Sequence, residues 1–154
     1  MNKKSSHRFV KRASVAAMLL SSLILTGCGE KSMEAHLEDA RAYVQKQRVD
    51  AAIVEYKSAI QLKPDVAQPR FELGRLYLQS NNYVAAEKEL NKALELDPDL
   101  VAAMVYLSHL AIDDHDWARA AELLERASKV EPLNASIHLN LGIAYRGLGQ
   151  FDLA

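Results

Sequence analysis

From Met33 to Gly147 the apolar residues return every three or four positions, the period of a helix with one buried stripe and not the alternation of a strand. Leu37, Ala40, Tyr43 and Val44 form one stripe, and Ala52, Ile53, Tyr56, Ala59 and Ile60 form the next. Gln47-Arg48-Val49 interrupts the pattern, which predicts helices over Met33 to Gln47 and Asp50 to Leu62. Lys63-Pro64-Asp65 ends the second helix, because a proline ring cannot continue the hydrogen-bond ladder, and Asp65 is placed to cap the helix that follows. Pro69 falls in the opening turn of that helix, where a backbone N–H has no intrahelical partner to lose. The same punctuation recurs downstream, with turns at Gln79 to Asn82 and Asp113 to Asp116 and a stop at Asp97-Pro98-Asp99. Asp116 is expected to cap a helix opening at Trp117, and Asn134 one running from Ala135 to Gly147. Gly149-Gln150 then turns the chain, and Phe151 to Ala154 starts a further helix.

The pattern repeats. Counted from Ala67, the chain has Leu73, Gly74, Tyr77, Ala86, Leu90, Ala93 and Pro98 at positions 7, 8, 11, 20, 24, 27 and 32. Moving the frame 34 residues upstream finds Ala40, Tyr43, Ala52, Tyr56, Ala59 and Pro64 at positions 8, 11, 20, 24, 27 and 32. Moving it 34 downstream finds Leu107, Ser108, Ala111, Ala120, Leu124, Ala127 and Pro132. A fourth frame, from Ala135, gives Leu141, Gly142, Tyr145 and Ala154. Small residues at positions 8, 20 and 27 belong where two helices cross closely, since a bulky side chain there forces the axes apart. The spacing resembles the tetratricopeptide repeat, a helix-turn-helix unit of 34 residues. It implies an all-α solenoid of antiparallel helix pairs, with repeats at 33–66, 67–100 and 101–134 and a partial repeat at 135–154. Leu141 and Tyr145 then call for a further helix to cover them, so the chain is expected to be the amino-terminal part of a longer array.

In that family the first helices of successive repeats line a concave groove, and positions 2, 5, 9, 12 and 13 commonly face it. The resemblance therefore assigns candidate partner-binding roles to apolar Leu37, Phe71 and Val105 at position 5 and to Arg41, Arg75 and His109 at position 9. Val44, Gln45 and Gln79 fall at positions 12 and 13. An apolar floor with a spaced row of basic groups suits an extended peptide or an acidic chain. A plainer reading has Glu38 and Glu72, each three residues earlier, satisfying Arg41 and Arg75 on their own helices. The carboxylate-clamp members of the family, which read chaperone tails, use lysine at position 5 and asparagine at position 9. Leu37, Phe71, Arg41 and Arg75 depart from that, which argues against chaperone tails.

Charge is uneven. Lys3, Lys4, Arg8, Lys11 and Arg12 precede residue 28 without a single acid, leaving 14 of the 19 basic residues to face all 20 acids. An acidic body of this kind argues against nucleic acid as a partner. The basic start leads into an apolar run from Ala13 to Leu25, too short for the roughly 20 residues a membrane-spanning helix needs. That is the anatomy of a secretory signal over residues 1–27. The lone cysteine excludes an intramolecular disulfide and a cysteine-based zinc site. Leu25-Thr26-Gly27-Cys28 resembles a bacterial lipobox, which implies lipid on Cys28, cleavage before it and a short tether over 28–32. Gly29, where an aspartate would mark inner-membrane retention, implies the periplasmic face of an outer membrane.

Candidate chemistry is sparse. Asp113-Asp114-His115-Asp116 invites a metal, but it lacks the glycine and distal glutamate of a calcium loop, and helix capping by Asp116 explains it more simply. No His-x-x-x-His pair, phosphate loop or nucleophile constellation stands out. His36, His138, Tyr56, Tyr83 and Trp117 are expected to be packing residues, and no cofactor is expected beyond the lipid. Cys28 to Met33, with His36, Ala40, Tyr43 and Ala51 to Ile60, resembles the start of the tetratricopeptide-repeat lipoprotein of exosortase (PEP-CTERM) systems. That resemblance implies a non-catalytic envelope scaffold assisting exopolysaccharide or sorted-protein export. Two alternatives stand beside it: a pilotin-like or cell-wall-complex adaptor, and the docking arm of a longer enzyme.

Overall fold

A computed structural model describes residues 31–150, and the lipobox residues Leu25, Thr26, Gly27 and Cys28 and the expected helix start at Phe151 to Ala154 lie outside them. Among the described residues there are seven helices and no strand. They are α1 (Met33–Gln45), α2 (Val49–Leu62), α3 (Ala67–Gln79), α4 (Tyr83–Leu96), α5 (Val101–Asp113), α6 (Trp117–Val130) and α7 (Ala135–Gly147). Each packs against its chain neighbours, so α1–α2, α3–α4 and α5–α6 form hairpins and α7 lies on α6.

The small residues do what the periodicity requires of them. Ala40, Ala52 and Ala59 of the first repeat are fully buried, as are Ala86 and Ala93 of the second and Ala120 and Ala127 of the third. At the second crossing a methyl on Gly74 would stand 2.8 Å from Leu90 Cγ and 3.3 Å from the Ala86 carbonyl oxygen. Ser108 takes the equivalent place in the third hairpin, and its buried hydroxyl donates to the Val105 carbonyl at 2.8 Å. Apolar side chains between the crossings form two clusters. One gathers around Tyr56, Leu73 and Leu76, and a larger one runs from Phe71 through Leu90, Met104 and Leu124 to Ala144.

The turns inside the repeats share one construction. Gln47, Asn81, His115 and Gly149, each 34 residues after the last, are the residues with positive φ, at 56°, 57°, 58° and 76°. At each, two backbone bonds close the preceding helix. The N–H of Gln47 donates to Val44 and that of Arg48 to Tyr43, both at 2.9 Å, and the same pair recurs at Asn81 and Asn82, His115 and Asp116, and Gly149 and Gln150. This is the Schellman arrangement, which satisfies carbonyls left over at a helix end. It ends α1 at Gln45, two residues earlier than its apolar stripe suggests, because Lys46 and Gln47 are consumed by the cap.

The starts are less uniform. Asp116 accepts from the Arg119 N–H at 3.1 Å, and Asn134 accepts from Ser136 at 3.1 Å and Ile137 at 3.4 Å. Asn82 and Ser32 cap α4 and α1 in the same way. Asp65 does not cap α3: the helix begins one residue too late for it, and the N-cap is Val66, which offers no side-chain acceptor. In compensation Arg70 reaches back to the Pro64 carbonyl and pairs with Glu89 at 3.1 Å, tying α3 to α4. His36 makes the corresponding tie in the first hairpin, with Nδ1 2.6 Å from Glu55 Oε2.

Candidate functional site

The helices bring position 9 of one repeat beside positions 6, 9 and 13 of the next. Between α1 and α3 they enclose a cleft of about 360 Å³ lined by Arg41, Val44, Gln45, Tyr56, Glu72, Arg75, Leu76 and Gln79. Two of the candidate residues, Arg41 and Arg75, thus share one cavity, with Gln45 and Gln79 beside them.

The two arginines are not equivalent. Arg75 Nη1 donates to Glu72 Oε2 at 2.8 Å, and its guanidinium stacks over Phe71, 5.8 Å from the ring centre. The other Glu72 oxygen accepts from Gln68 Nε2 at 2.9 Å, so both carboxylate oxygens are occupied. Arg41 makes no ion pair among the described residues, and Glu38 does not satisfy it as the plain reading of the sequence expects. That reading holds at Arg75 and fails at Arg41.

Position 5 needs correcting. Phe71 is only 7% exposed and packs against Tyr106 of α5, with ring centres 5.9 Å apart, so it is wall material between repeats and a shelf for Arg75, not an open floor. Leu37 and Val105 are half-buried against the two apolar clusters. A first-helix residue aimed at the next repeat is covered by that repeat, which a groove rule taken from spacing does not capture. His109 lies farther along α5, exposed, with Asn140 of α7 3.0 Å from its Nε2. It is absent from the cleft lining.

The residue that spacing did not mark is Tyr56. It sits at position 24, expected to be packing, and is 2% exposed, yet it reaches the cleft. Its hydroxyl has no hydrogen-bond partner among the described residues, and no side-chain polar atom is sealed away unsatisfied, so the oxygen is open to the cavity. Burial pushes its ionisation above the ordinary value of 10.0, Glu72 adds to that, and Arg41 and Arg75 pull the other way. The corresponding residues, Leu90 and Leu124, carry no polar atom. A tyrosine among leucines at one repeat position was the available signal.

The other aromatic and histidine expectations divide. Trp117 is half-buried against α7, where a methyl on Gly147 would overlap its indole. Tyr83 is 54% exposed and hydrogen-bonds Asn81 at 3.0 Å, and His138 is exposed, bonded to the Pro132 carbonyl at 2.8 Å; neither belongs to a core. In the acidic turn Asp116 serves as the cap, while His115 stands 5.4 Å from the Trp117 ring.

The helix pairs, the crossing residues and the repeated Schellman turns define a helical-repeat protein. Two family models, each described as Tetratricopeptide repeat, match residues 43–107 and 107–154, together most of the chain, and the chain belongs to that family. The family is one of protein-interaction scaffolds and is generally non-enzymatic. Among solved structures, one described as the crystal structure of MamA is 22% identical with a TM-score of 0.73, the match covering 80% of this chain and 72% of that one. MamA from Desulfovibrio magneticus RS-1 is 19% identical with a TM-score of 0.73, over 82% of this chain and 71% of that one. The first TPR of Spaghetti, bound to the HSP90 peptide SRMEEVD, is 18% identical with a TM-score of 0.70, over 79% of this chain and 99% of that one. These likenesses concern the fold. No curated protein matches the sequence.

Proposed function

We propose that this protein is a lipid-anchored scaffold of the bacterial cell envelope, holding an extended segment of a partner protein in the cleft between α1 and α3. The observation that carries the binding role is the cleft itself, where Arg41, Gln45, Tyr56 and Gln79 present hydrogen-bonding groups beside the apolar Val44 and Leu76. Amide side chains that both donate and accept suit a peptide backbone, and a basic group selects among side chains. A tetratricopeptide structure of similar fold holds a peptide, which supports the same use here.

The anchor rests on Leu25-Thr26-Gly27-Cys28 after a basic and then apolar leader, and Gly29 favours the outer membrane facing the periplasm. Acyl chains on Cys28 give stable attachment, because two or more chains bind where one binds only marginally. Assistance to exopolysaccharide or PEP-CTERM protein export is the role suggested by the stretch from Cys28 to Ile60. Exosortase and polysaccharide genes beside the coding sequence support it, whereas secretin or peptidoglycan genes favour a pilotin-like or cell-wall adaptor.

One experiment tests anchor and cleft together. A photo-crosslinking residue is placed at Gln79 in the cleft or at Val84, an 83% exposed position on α4 outside it, in cells carrying either natural Cys28 or Cys28→Ser. A discrete adduct from Gln79 alone, with membrane fractionation lost in Cys28→Ser, is expected. Equal adducts from both positions overturn the cleft, and unchanged fractionation overturns the anchor.

A further inference from the structure

Two donors in the cleft are uncommitted, while each oxygen of its one acid already accepts a hydrogen bond. Arg41 has no ion pair and the hydroxyl of nearly buried Tyr56 has no hydrogen-bond partner among the described residues. Glu72 spends one oxygen on Arg75 and the other on Gln68. Open guanidinium N–H and phenol O–H donors facing one cavity fit a group that accepts, and an arginine favours that group charged. Arg41 and Arg75 against Glu72 leave the cleft net positive, although beyond residue 28 the chain carries 20 acids against 14 basic residues. Attraction is therefore local to this spot. The open donors and the local charge name the same ligand group.

We propose that the cleft is a subsite for one acidic side chain, glutamate or aspartate, of an extended partner segment, with Arg41 and the Tyr56 hydroxyl as its paired donors. This rests on the groove reading above and adds the partner's chemistry to it. Val44 and Leu76 flank the methylene stem of that side chain, and Gln45 and Gln79 hold the backbone on either side. Glu72 sets the count. By keeping Arg75 engaged at 2.8 Å and adding its own negative charge, it limits the cleft to a single carboxylate and repels a second. A side chain fits better than a chain terminus because the row of first helices continues past Arg75 to His109 on α5, so the bound segment has further surface to follow.

The test uses the full chain and an oriented heptapeptide library, acetylated and amidated, with random flanks and a fixed central Glu or Gln. A third pool carries central Gln and a free C-terminal carboxylate. Polarisation titrations are expected to favour the Glu pool over the Gln pool by about tenfold or more, the worth of a hydrogen-bonded charge pair. Arg41→Gln brings that ratio close to one. Tyr56→Phe lowers it several-fold, and Glu72→Gln admits peptides with two adjacent acids that the natural cleft refuses. Binding of all pools with equal strength overturns the carboxylate subsite while leaving the groove reading intact. Preference for the free-terminus pool alone overturns the side-chain assignment, and a ratio unmoved by Arg41→Gln overturns the role of Arg41.

Discussion

The two ends of the array use the same frame for different ends. In the first hairpin position 9 is an arginine without an ion pair among the described residues, and position 24 is a tyrosine whose hydroxyl opens into a cleft. In the third, position 9 is His109 facing Asn140, and position 24 is Leu124, fully buried. The third hairpin also turns outward contacts into packing: Trp117 lies on Gly147, and Tyr145 donates to Glu125 at 2.8 Å. A repeat fixes where side chains point, and the residue at each point decides whether the place is a joint or a site. Here the amino-terminal half carries uncommitted chemistry and the carboxy-terminal half carries joints.

The largest effect that breaks this contrast belongs to the joint. Gly147→Ala forces a methyl into the fused part of the Trp117 ring system, which cannot swing aside like the tip of a flexible chain. Overpacking of this kind costs about 1–3 kcal/mol in urea unfolding, and pairing it with Trp117→Leu is expected to recover most of the loss. An unpaired loss of the same size in both backgrounds shows that the indole is not the cause.

A smaller and opposite effect lies in the turn of the first hairpin. Gln47 holds φ 56°, where a side chain is strained and glycine is not. Gln47→Gly is expected to raise stability by roughly 0.5–1 kcal/mol, while Gly149→Gln lowers it at the other end, where φ is 76°. Thermal unfolding of the two variants reads both signs, and a destabilised Gln47→Gly removes the argument from strain.

The smallest effect separates the two tyrosines. The neutral phenol of Tyr56 is favoured in the folded chain, chiefly by burial, and that of Tyr145 chiefly by its bond to Glu125. A group raised in this way contributes stability in full below its ordinary value of 10.0 and loses it as pH rises through the higher folded value. Tyr56→Phe is expected to flatten the fall in stability above about pH 10 while leaving neutral-pH stability within about 1 kcal/mol. Tyr145→Phe flattens the alkaline fall as well, but also lowers stability at neutral pH because a hydrogen bond is lost. Identical profiles for the two variants erase the distinction.

Much of the fold was legible because its cause is local. Alanine, glycine and serine at positions 8 and 20 announce close crossings, prolines at 32 announce stops, and Asp116 and Asn134 announce helix starts. The Schellman turns were partly hidden, since Asn81, His115 and Gly149 suit positive φ but Gln47 does not advertise it. Asp65 misled because capping depends on a one-residue difference in where α3 begins. At the site, Arg41 and Arg75 were found through the groove positions the resemblance implies, whereas Phe71 was misplaced and Tyr56 passed over. Both depend on what the neighbouring helix covers, and that is a fact about packing between repeats.

The sequence by itself determined the helical period, the 34-residue unit and the tight crossings, because each follows from the order of residues along one helix or hairpin. Only the tertiary structure decided that Arg75 is held by Glu72 and Arg41 by no ion pair among the described residues, that Phe71 packs on Tyr106, and that the Tyr56 hydroxyl faces the cleft. Those outcomes turn on distances of a few ångströms between side chains from different helices. Such distances are set by how the helices stack.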